Sequence, residues 1–188
     1  MSSKFVIIIG PSGVGKGTLL NLLKERHPEF LFPVSATTRE MRPKEENGKT
    51  YYFFTKREFE NKIKKGEFLE YAHVHGENYY GTLKKPILDA FEKNKMVVRE
   101  VDYQGFISIR KIISKEKLKT IFLLPPSIEI LKKRIIARSP ILEDELNRRM
   151  ESLKEEMKIA DECDIRIQTI DGDIEASYKL FERAILND

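Results

Sequence analysis

The stretch FVIIIGPSGVGKGTLLNLLKER, residues 5–26, decides the fold predicted for this chain. Its first five residues form an unbroken apolar run, which is typical of a strand buried on both faces of a parallel sheet. After a glycine-rich turn, four leucines recur at helical spacing: Leu19, Leu20, Leu22 and Leu23. Strand, glycine loop and helix in this order are the context in which phosphate-binding loops occur.

The loop itself nearly matches the phosphate-binding pattern G-x-x-x-x-G-K-S/T. Gly17 stands where a hydroxyl residue is usual, and Thr18 comes one place later. Backbone N–H groups of such a loop form a concave site for phosphate oxygens, and Lys16 adds a positive charge. Either Thr18 supplies an oxygen to Mg²⁺, or the ion is held mostly by water, since Mg²⁺ commonly keeps several waters. The alternative is an ordinary strand–turn–helix without a ligand. Because motif and context agree, we favour a working nucleotide site. Its residues are Gly10, Pro11, Ser12, Gly13, Val14, Gly15, Lys16, Gly17 and Thr18.

The composition narrows the class of protein. The chain has 188 residues, of which 40% are hydrophobic, enough for one core. Its net charge of +4 suits small polyanions and is too weak to indicate nucleic-acid binding. The single cysteine excludes an intramolecular disulfide and favours a reducing compartment. Because no apolar run approaches the roughly 20 residues of a membrane span, and the N-terminal run is too short for a signal peptide, we expect a soluble, cytoplasmic monomer without a membrane partner.

Three later segments repeat the strand-then-helix rhythm. Apolar runs at 96–101 and 120–124 each precede a helical pattern, and a weaker run at 165–169 precedes a helix at 174–186. This alternation predicts an α/β fold with a doubly wound parallel sheet. Residues 34–83 break the rhythm, since they are rich in Thr, Tyr, Phe and Gly. They predict a small inserted lobe of antiparallel or mixed strands with one helix near residues 57–64.

The sequence also predicts a lid and the limits of the domain. The polar stretch SPILEDEL, which contains Pro140, predicts a mobile loop or lid at about residues 138–147. We therefore expect a single domain over residues 1–188. Its core would comprise residues 1–33 and 84–188, and the lobe residues 34–83.

The predicted lobe carries a second candidate anion site. In SATTREMRPKEENGKTYYF, Arg39 and Arg42 are three residues apart and Tyr51 follows. Two guanidinium groups with a phenol nearby can clamp a monophosphate through bidentate, charge-assisted hydrogen bonds. A solvated basic turn is the alternative for these arginines.

Together these blocks resemble guanylate kinases over nearly the full length of the chain. The resemblance rests on GPSGVGKGT, VSATTREMRPKEENGKTYYF, EFLEYAHVHGENYYGT and VREVDYQG, which occur in family order. It implies that the nucleotide at the glycine loop is ATP with Mg²⁺, and that the lobe binds GMP. It also implies that the guanine meets Ser35, Glu70, Thr82 and Asp102, and that the GMP phosphate meets Arg39, Arg42, Tyr51 and Tyr80.

The chemistry of the base agrees with this assignment. Guanine presents N1–H and N2–H₂ donors beside its O6 acceptor, whereas adenine has an acceptor at N1. An ionised Glu70 accepts hydrogen bonds and cannot donate, so it suits guanine and would repel the adenine edge. Asp102 lies at the end of a buried strand, where α/β sheets place their ligands. Alone, Glu70 would be read as a surface carboxylate and Asp102 as a helix cap.

Three arginines flank the predicted lid. Arg134 and Arg138 are four residues apart on one helix face, and Arg149 begins the return helix. In the family, equivalent arginines reach the ATP phosphates, so Lys16, Arg134, Arg138 and Arg149 are the predicted catalytic residues. Salt bridges to the acidic residues of the lid are the alternative. The chain departs from the family pattern at Ser139-Pro140, where Gly-Thr is usual, at Tyr71, where Trp is frequent, and at Asp171, where Asn is common.

The resemblance implies phosphoryl transfer from ATP to GMP, and to dGMP. The alternative is a non-catalytic module of guanylate-kinase type that binds a phosphorylated peptide where GMP would lie. Such modules usually have a degraded phosphate loop and lie beside other domains. The intact Lys16, with no adjoining domain expected, favours the enzyme.

Overall fold

The computed structural model describes residues 4–74, 78–138 and 143–187. Its α-helices and strands alternate for most of this length, apart from a strand-rich segment near the first third. A short 3₁₀ helix, Ala160–Glu162, follows the sixth α-helix. In chain order the elements are β1 (Phe5–Ile9), α1 (Lys16–Arg26), β2 (Ser35–Thr37), β3 (Tyr52–Phe53), α2 (Lys56–Lys64), β4 (Phe68–Val74), β5 (Asn78–Leu83), α3 (Lys84–Glu92), β6 (Val97–Glu100), α4 (Tyr103–Ile112), β7 (Leu118–Leu124), α5 (Ile128–Arg138), α6 (Glu143–Ile159), β8 (Ile165–Gln168) and α7 (Ile174–Leu186).

The core is a parallel sheet covered on both faces. Its strand order is β6-β1-β7-β8, and every pairing is parallel. Successive side chains of β1 point to opposite faces, so Val6 and Ile8 pack under α1, α5, α6 and α7. Phe5, Ile7 and Ile9 pack under α3 and α4. This arrangement confirms the predicted α/β fold and explains why β1 is apolar throughout.

The lobe is a second, four-stranded sheet in the order β3-β2-β5-β4. Strand β2 pairs antiparallel with β5, β5 pairs antiparallel with β4, and β2 pairs parallel with β3. Helix α2 closes one face, where Phe59 stacks on Phe68 and Tyr79 at centroid distances of 4.2 and 5.2 Å. A reciprocal pair of hydrogen bonds between Thr55 and Glu58 caps its first turn.

The lobe is mixed, because the β2–β3 pair is parallel and the other two pairs are antiparallel, and this is one of the two arrangements predicted for residues 34–83. The structure departs from the sequence-based expectations in two places. Helix α3 was not predicted: it has no side-chain cap, and Pro86 lies in its first turn, where proline is tolerated. In the predicted lid, residues 139–142 lie outside the described residues. The chain is helical from Glu143 onward, so the second half of SPILEDEL is not a loop.

The remaining predicted elements agree closely with the observed bounds. Strand β7 begins at Leu118, two residues earlier than expected, and α7 has the predicted limits. Within the three described ranges, no helix has both the length and the apolar character needed to cross a bilayer. The limits given for core, lobe and lid stay predictions.

Candidate active site

The glycine loop connects β1 to α1 in a conformation that few other residues adopt. Gly10, Gly13 and Gly15 have φ angles of 152°, 84° and 110°. A Cβ atom on Gly10 would lie 2.6 Å from the carbonyl oxygen of Leu123, so this glycine also allows the loop to lie against β7. The first helical hydrogen bond of α1 runs from the N–H of Leu19 to the carbonyl oxygen of Gly15. The N–H groups of the first turn, before Leu19, therefore have no helical partner and suit an anion.

Lys16 already lies across this loop. Its Nζ donates to the carbonyl oxygens of Gly10, at 2.6 Å, and Pro11, at 3.2 Å. The same Nζ is 3.6 Å from Oε1 of Glu100 on β6, and the lysine side chain is 14% exposed. The ammonium group is thus held at the place where the pattern predicts phosphate.

A single cleft of about 1210 Å³ joins the loop to the lobe. The loop contributes Gly10, Lys16 and Thr18, and the lobe contributes Glu70 and Tyr80. Strand β6, the start of α4 and two helices on the far side complete the lining. The lining also includes the polar side chains of Ser35, Tyr51, Arg99, Glu100, Asp102, Arg134 and Glu156.

Sheet register brings three of the predicted base-binding residues together. Ser35 lies opposite Thr82 in the β2–β5 pair, and Glu70 lies opposite Thr82 in the β4–β5 pair. The hydroxyl of Thr82 donates to Oε1 of Glu70. Arg99, from the core strand β6, donates to the same oxygen at 3.2 Å and to the hydroxyl of Ser35 at 3.5 Å.

The predicted phosphate clamp is partly assembled. Arg39 forms a bidentate pair with Glu45, at 3.0 and 2.8 Å, and lies over the ring of Tyr51 at 5.5 Å. The rings of Tyr51 and Tyr80 are 6.1 Å apart. The guanidinium of Arg39 holds the pKa of Glu45 below its usual value, helped by the backbone N–H of Arg42. The side chain of Arg42 is exposed.

Asp102 and Glu156 place carboxylates in the middle of the cleft. Asp102 caps α4, because its Oδ1 accepts from the N–H of Gly105 at 2.8 Å. The cap and the predicted ligand role are compatible, since Oδ2 takes no part in it. Burial raises the pKa of Glu156; Lys16 opposes this rise and Asp102 adds to it.

Of the three predicted arginines, Arg134 can be described in full. Its Nη2 donates to Asp171 at 2.7 Å, and its Nη1 lies 3.4 Å from the carbonyl oxygen of Val14 in the loop. Helix α5 therefore brings a guanidinium to the edge of the phosphate loop. Arg138 ends α5 and Arg149 lies in α6, but their side chains, like Ser139-Pro140, lie outside the described residues.

Sequence reasoning missed Arg99, Glu100 and Glu156, which line this cleft, and Glu45, which pairs with Arg39. Arg99 carried the clearest signal, since it is a charged residue that directly follows the buried Val97 and Val98 in the same strand. Glu45 lies among several charged residues of a turn, and Glu156 in a helix rich in charge. Their proximity to the site follows only from the way the chain folds.

The comparisons with known proteins agree with this geometry. A family model described as guanylate kinase matches residues 2–188. The chain belongs to the guanylate kinase family. The resemblance stated from the sequence blocks is thereby confirmed.

Related guanylate kinases match nearly the whole chain. It is 45% identical over 185 residues to the guanylate kinase of Nostoc sp., a match that covers 98% of this chain and 90% of that protein. It is 40% identical to the guanylate kinase of Thermosynechococcus vestitus, with 98% and 94% covered. The crystal structure of guanylate kinase from Anaplasma phagocytophilum superposes with a TM-score of 0.69 at 27% identity, covering 97% of this chain and 84% of that one.

Proposed function

We propose that this protein transfers the γ-phosphoryl group of ATP to GMP, and to dGMP, giving ADP and the nucleoside diphosphate. The observation that carries the proposal is one cleft with a phosphate loop at one end and Glu70, flanked by hydroxyl and guanidinium groups, at the other. Membership of the guanylate kinase family over the whole chain supports the same pair of substrates.

At the donor end, the loop would hold the triphosphate of ATP. The free N–H groups at the start of α1 suit phosphate oxygens, and the helix dipole adds positive potential. Lys16 needs little movement, because its Nζ already lies among the loop carbonyls that it would exchange for phosphate oxygens. Arg134 stands beside Val14 and would add a second charge.

At the acceptor end, Glu70 would select the base. Its carboxylate would accept from N1–H and N2–H₂ of guanine, and it would face the N1 lone pair of adenine unfavourably. Because the Thr82 hydroxyl already donates to Glu70, Ser35 is the better placed hydroxyl to donate to O6. Each buried polar group left unpaired by a wrong base costs about 1–3 kcal/mol, which makes such a site selective.

The phosphate of GMP would lie between the base site and the loop. Arg39 is held in place by Glu45 and by the ring of Tyr51 before any ligand binds. With Arg42, Tyr51 and Tyr80 it would orient the acceptor phosphate. Rigid placement lowers the entropy cost of aligning two substrates.

Mg²⁺ fits the donor end of the cleft. The Thr18 hydroxyl and the Glu100 carboxylate line it, and both are the oxygen donors that Mg²⁺ prefers. Among the described residues, no group of three or more Asp, Glu, His or Cys side chains is arranged to hold a metal. Mg²⁺ would therefore be bound mainly by the nucleotide phosphates and water, and it would neutralise part of the phosphate charge.

The transfer itself needs no nucleophile from the protein. An oxygen of the GMP phosphate attacks the γ-phosphorus in line, the bond to the bridging oxygen breaks, and ADP leaves with the electron pair. Phosphoryl transfer depends mainly on positioning and on charge neutralisation. Lys16, Arg134, Arg138 and Arg149 are the proposed cations around the equatorial oxygens.

A coupled assay of ADP formation with Mg-ATP tests the proposal against a panel of nucleoside monophosphates. GMP and dGMP should be turned over, while AMP, CMP and UMP should show kcat/KM values lower by about 10⁴-fold. Faster turnover of AMP or UMP would contradict the base assignment. Tight binding of GMP without ADP formation would indicate a binding module instead of an enzyme.

A further inference from the structure

Arg99 links the core sheet to the base-binding end of the lobe. It lies on β6 opposite Ile7 of β1, with Val97 on the same face of the strand. This face points toward the lobe, where Leu69 of β4 packs in one cluster with Val97. A long side chain at position 99 therefore extends from the core toward β4 and β2.

Arg99 contacts one carboxylate oxygen and one hydroxyl group of the lobe. Its Nη2 is 3.2 Å from Oε1 of Glu70 and 3.5 Å from the hydroxyl of Ser35. The Thr82 hydroxyl also donates to Oε1. Within the part of the chain that the structure describes, both bonds to Glu70 reach Oε1, so Oε2 remains for the base.

The Arg99–Glu70 ion pair is largely buried. The side chains of Arg99 and Glu70 are only 13% and 14% exposed. Across residues 4–74, 78–138 and 143–187, Nε and Nη1 of Arg99 are buried without a hydrogen-bond partner. A buried cation with unpaired donors opposes folding, and an apolar side chain of similar length would avoid that cost. Stability of the fold therefore does not explain the arginine.

We propose that Arg99 is a positioning residue for the acceptor base: it holds Oε1 of Glu70 and so turns Oε2 toward the N1–H and N2–H₂ edge of guanine. This inference rests on the proposed function. Burial lowers the pKa of Arg99, and the neighbouring Glu70, Asp102 and Tyr51 oppose this by favouring the charged guanidinium. Because Arg99 belongs to the core and Glu70 to the lobe, the pair also ties base recognition to the position of the lobe.

The variant Arg99→Met removes the charge and keeps the length of the side chain. KM for GMP should rise about tenfold or more, because the variant loses one hydrogen bond to a charged group. KM for ATP and kcat at saturating GMP should stay near the wild-type values. Thermal unfolding checks that the variant folds. Arg99→Lys, which retains a charge, should recover part of the GMP affinity and serves as the test variant if Arg99→Met does not fold.

The split between KM and kcat separates this role from a purely structural one. Loss of positioning should raise KM for GMP alone, whereas a structural defect of the cleft would also lower kcat and raise KM for ATP. The matched control is Arg110→Met, which removes the exposed Arg110–Glu162 pair at 2.6 Å and should leave both KM values unchanged.

A double-mutant cycle gives the decisive comparison. If Arg99 acts through Glu70, the Arg99→Met, Glu70→Gln double variant should bind GMP no more weakly than Glu70→Gln alone. Additive losses, or a KM for GMP in Arg99→Met within about twofold of wild type, would overturn the inference while leaving the proposed function intact. A wild-type protein without GMP-dependent ADP formation would overturn the proposed function, and this inference with it.

Discussion

At the scale of single residues, Gly17 is where the phosphate loop departs from the usual pattern. A Cβ atom at this position would meet no other atom within 4 Å, and the φ angle lies outside the left-handed region. Neither close packing nor backbone conformation therefore requires glycine here. Gly10 is the opposite case, since its Cβ would lie 2.6 Å from the Leu123 carbonyl oxygen.

The variant Gly17→Ser should accordingly be tolerated. Replacing glycine in the first turn of α1 lowers the entropy of the unfolded chain, so we expect about 0.5–1 kcal/mol of added stability. Differential scanning calorimetry should show a Tm higher by a few degrees, with GMP-dependent turnover retained. The contrasting variant Gly10→Ala should lower Tm. A lower Tm for Gly17→Ser would mean that the loop needs glycine for a reason other than space.

Lys16 is the residue whose loss should separate binding from transfer. In Lys16→Ala we expect kcat to fall by about 10²–10³-fold or more, because a cation aimed at the transferring phosphoryl group is removed. GMP binding, measured by calorimetry without ATP, should stay close to wild type, since the lysine contacts the loop and not the lobe. Lys85→Ala, at an exposed helical pair with Asp89, is the control. Unchanged turnover in Lys16→Ala would defeat the mechanism.

At the scale of elements, the end of α1 is tied to α7 by a histidine between two carboxylates. His27 is hydrogen-bonded through Nδ1 to Glu29 at 3.0 Å and through Nε2 to Glu182 on α7 at 2.9 Å. Burial opposes protonation of the ring, but the bonds to Glu182 and Glu29 outweigh it and raise the pKa of His27. The same contact lowers the pKa of Glu182. The link between these two helices therefore depends on pH.

The direction of this dependence follows from the raised pKa. The stabilisation by His27 is complete below its unfolded pKa of about 6.5, and it is lost as the pH rises through the folded value. Urea unfolding should thus give a lower free energy of unfolding at about pH 8.5 than at about pH 6. In His27→Gln this difference should shrink. A wild-type free energy that rises over the same interval, or an unchanged slope in the variant, would contradict the assignment.

At the scale of the whole molecule, two sheets contribute opposite ends of one cleft. The parallel core supplies the glycine loop, and the mixed lobe supplies the proposed base site. Arg99 bridges them through Glu70 and Ser35, so the lobe contacts the core at the place where the base would bind. Ligands that contact both ends stabilise whichever arrangement brings them together.

We expect the cleft to close when both substrates bind. Small-angle scattering should give a smaller radius of gyration with GMP plus a non-hydrolysable ATP analogue than without ligand, because closure brings the lobe and the core together. Such closure would exclude water from the transfer. The analogue alone is the control, and it should produce a smaller change. An unchanged radius with both ligands at saturation would show that the described arrangement is already the working one.

The sequence alone determined the parts of this protein that depend on local pattern. The run FVIII, the glycine loop and the leucine spacing predicted β1, the loop and α1, because strand burial and helix periodicity leave their record in consecutive residues. The same reasoning predicted the parallel core. It missed α3, whose first turn lacks a capping signal.

Only the tertiary structure decided how the lobe meets the core. The resemblance predicted that Ser35, Glu70 and Thr82 share one site, but the parallel pairing of β2 with β3 and the contact of Arg99 with Glu70 depend on strand register and on how the lobe lies against the core. No local pattern encodes these contacts, because each joins residues far apart in the chain. An arginine in a buried strand can be noticed in the sequence, but its carboxylate partner is selected by the packing of the whole molecule.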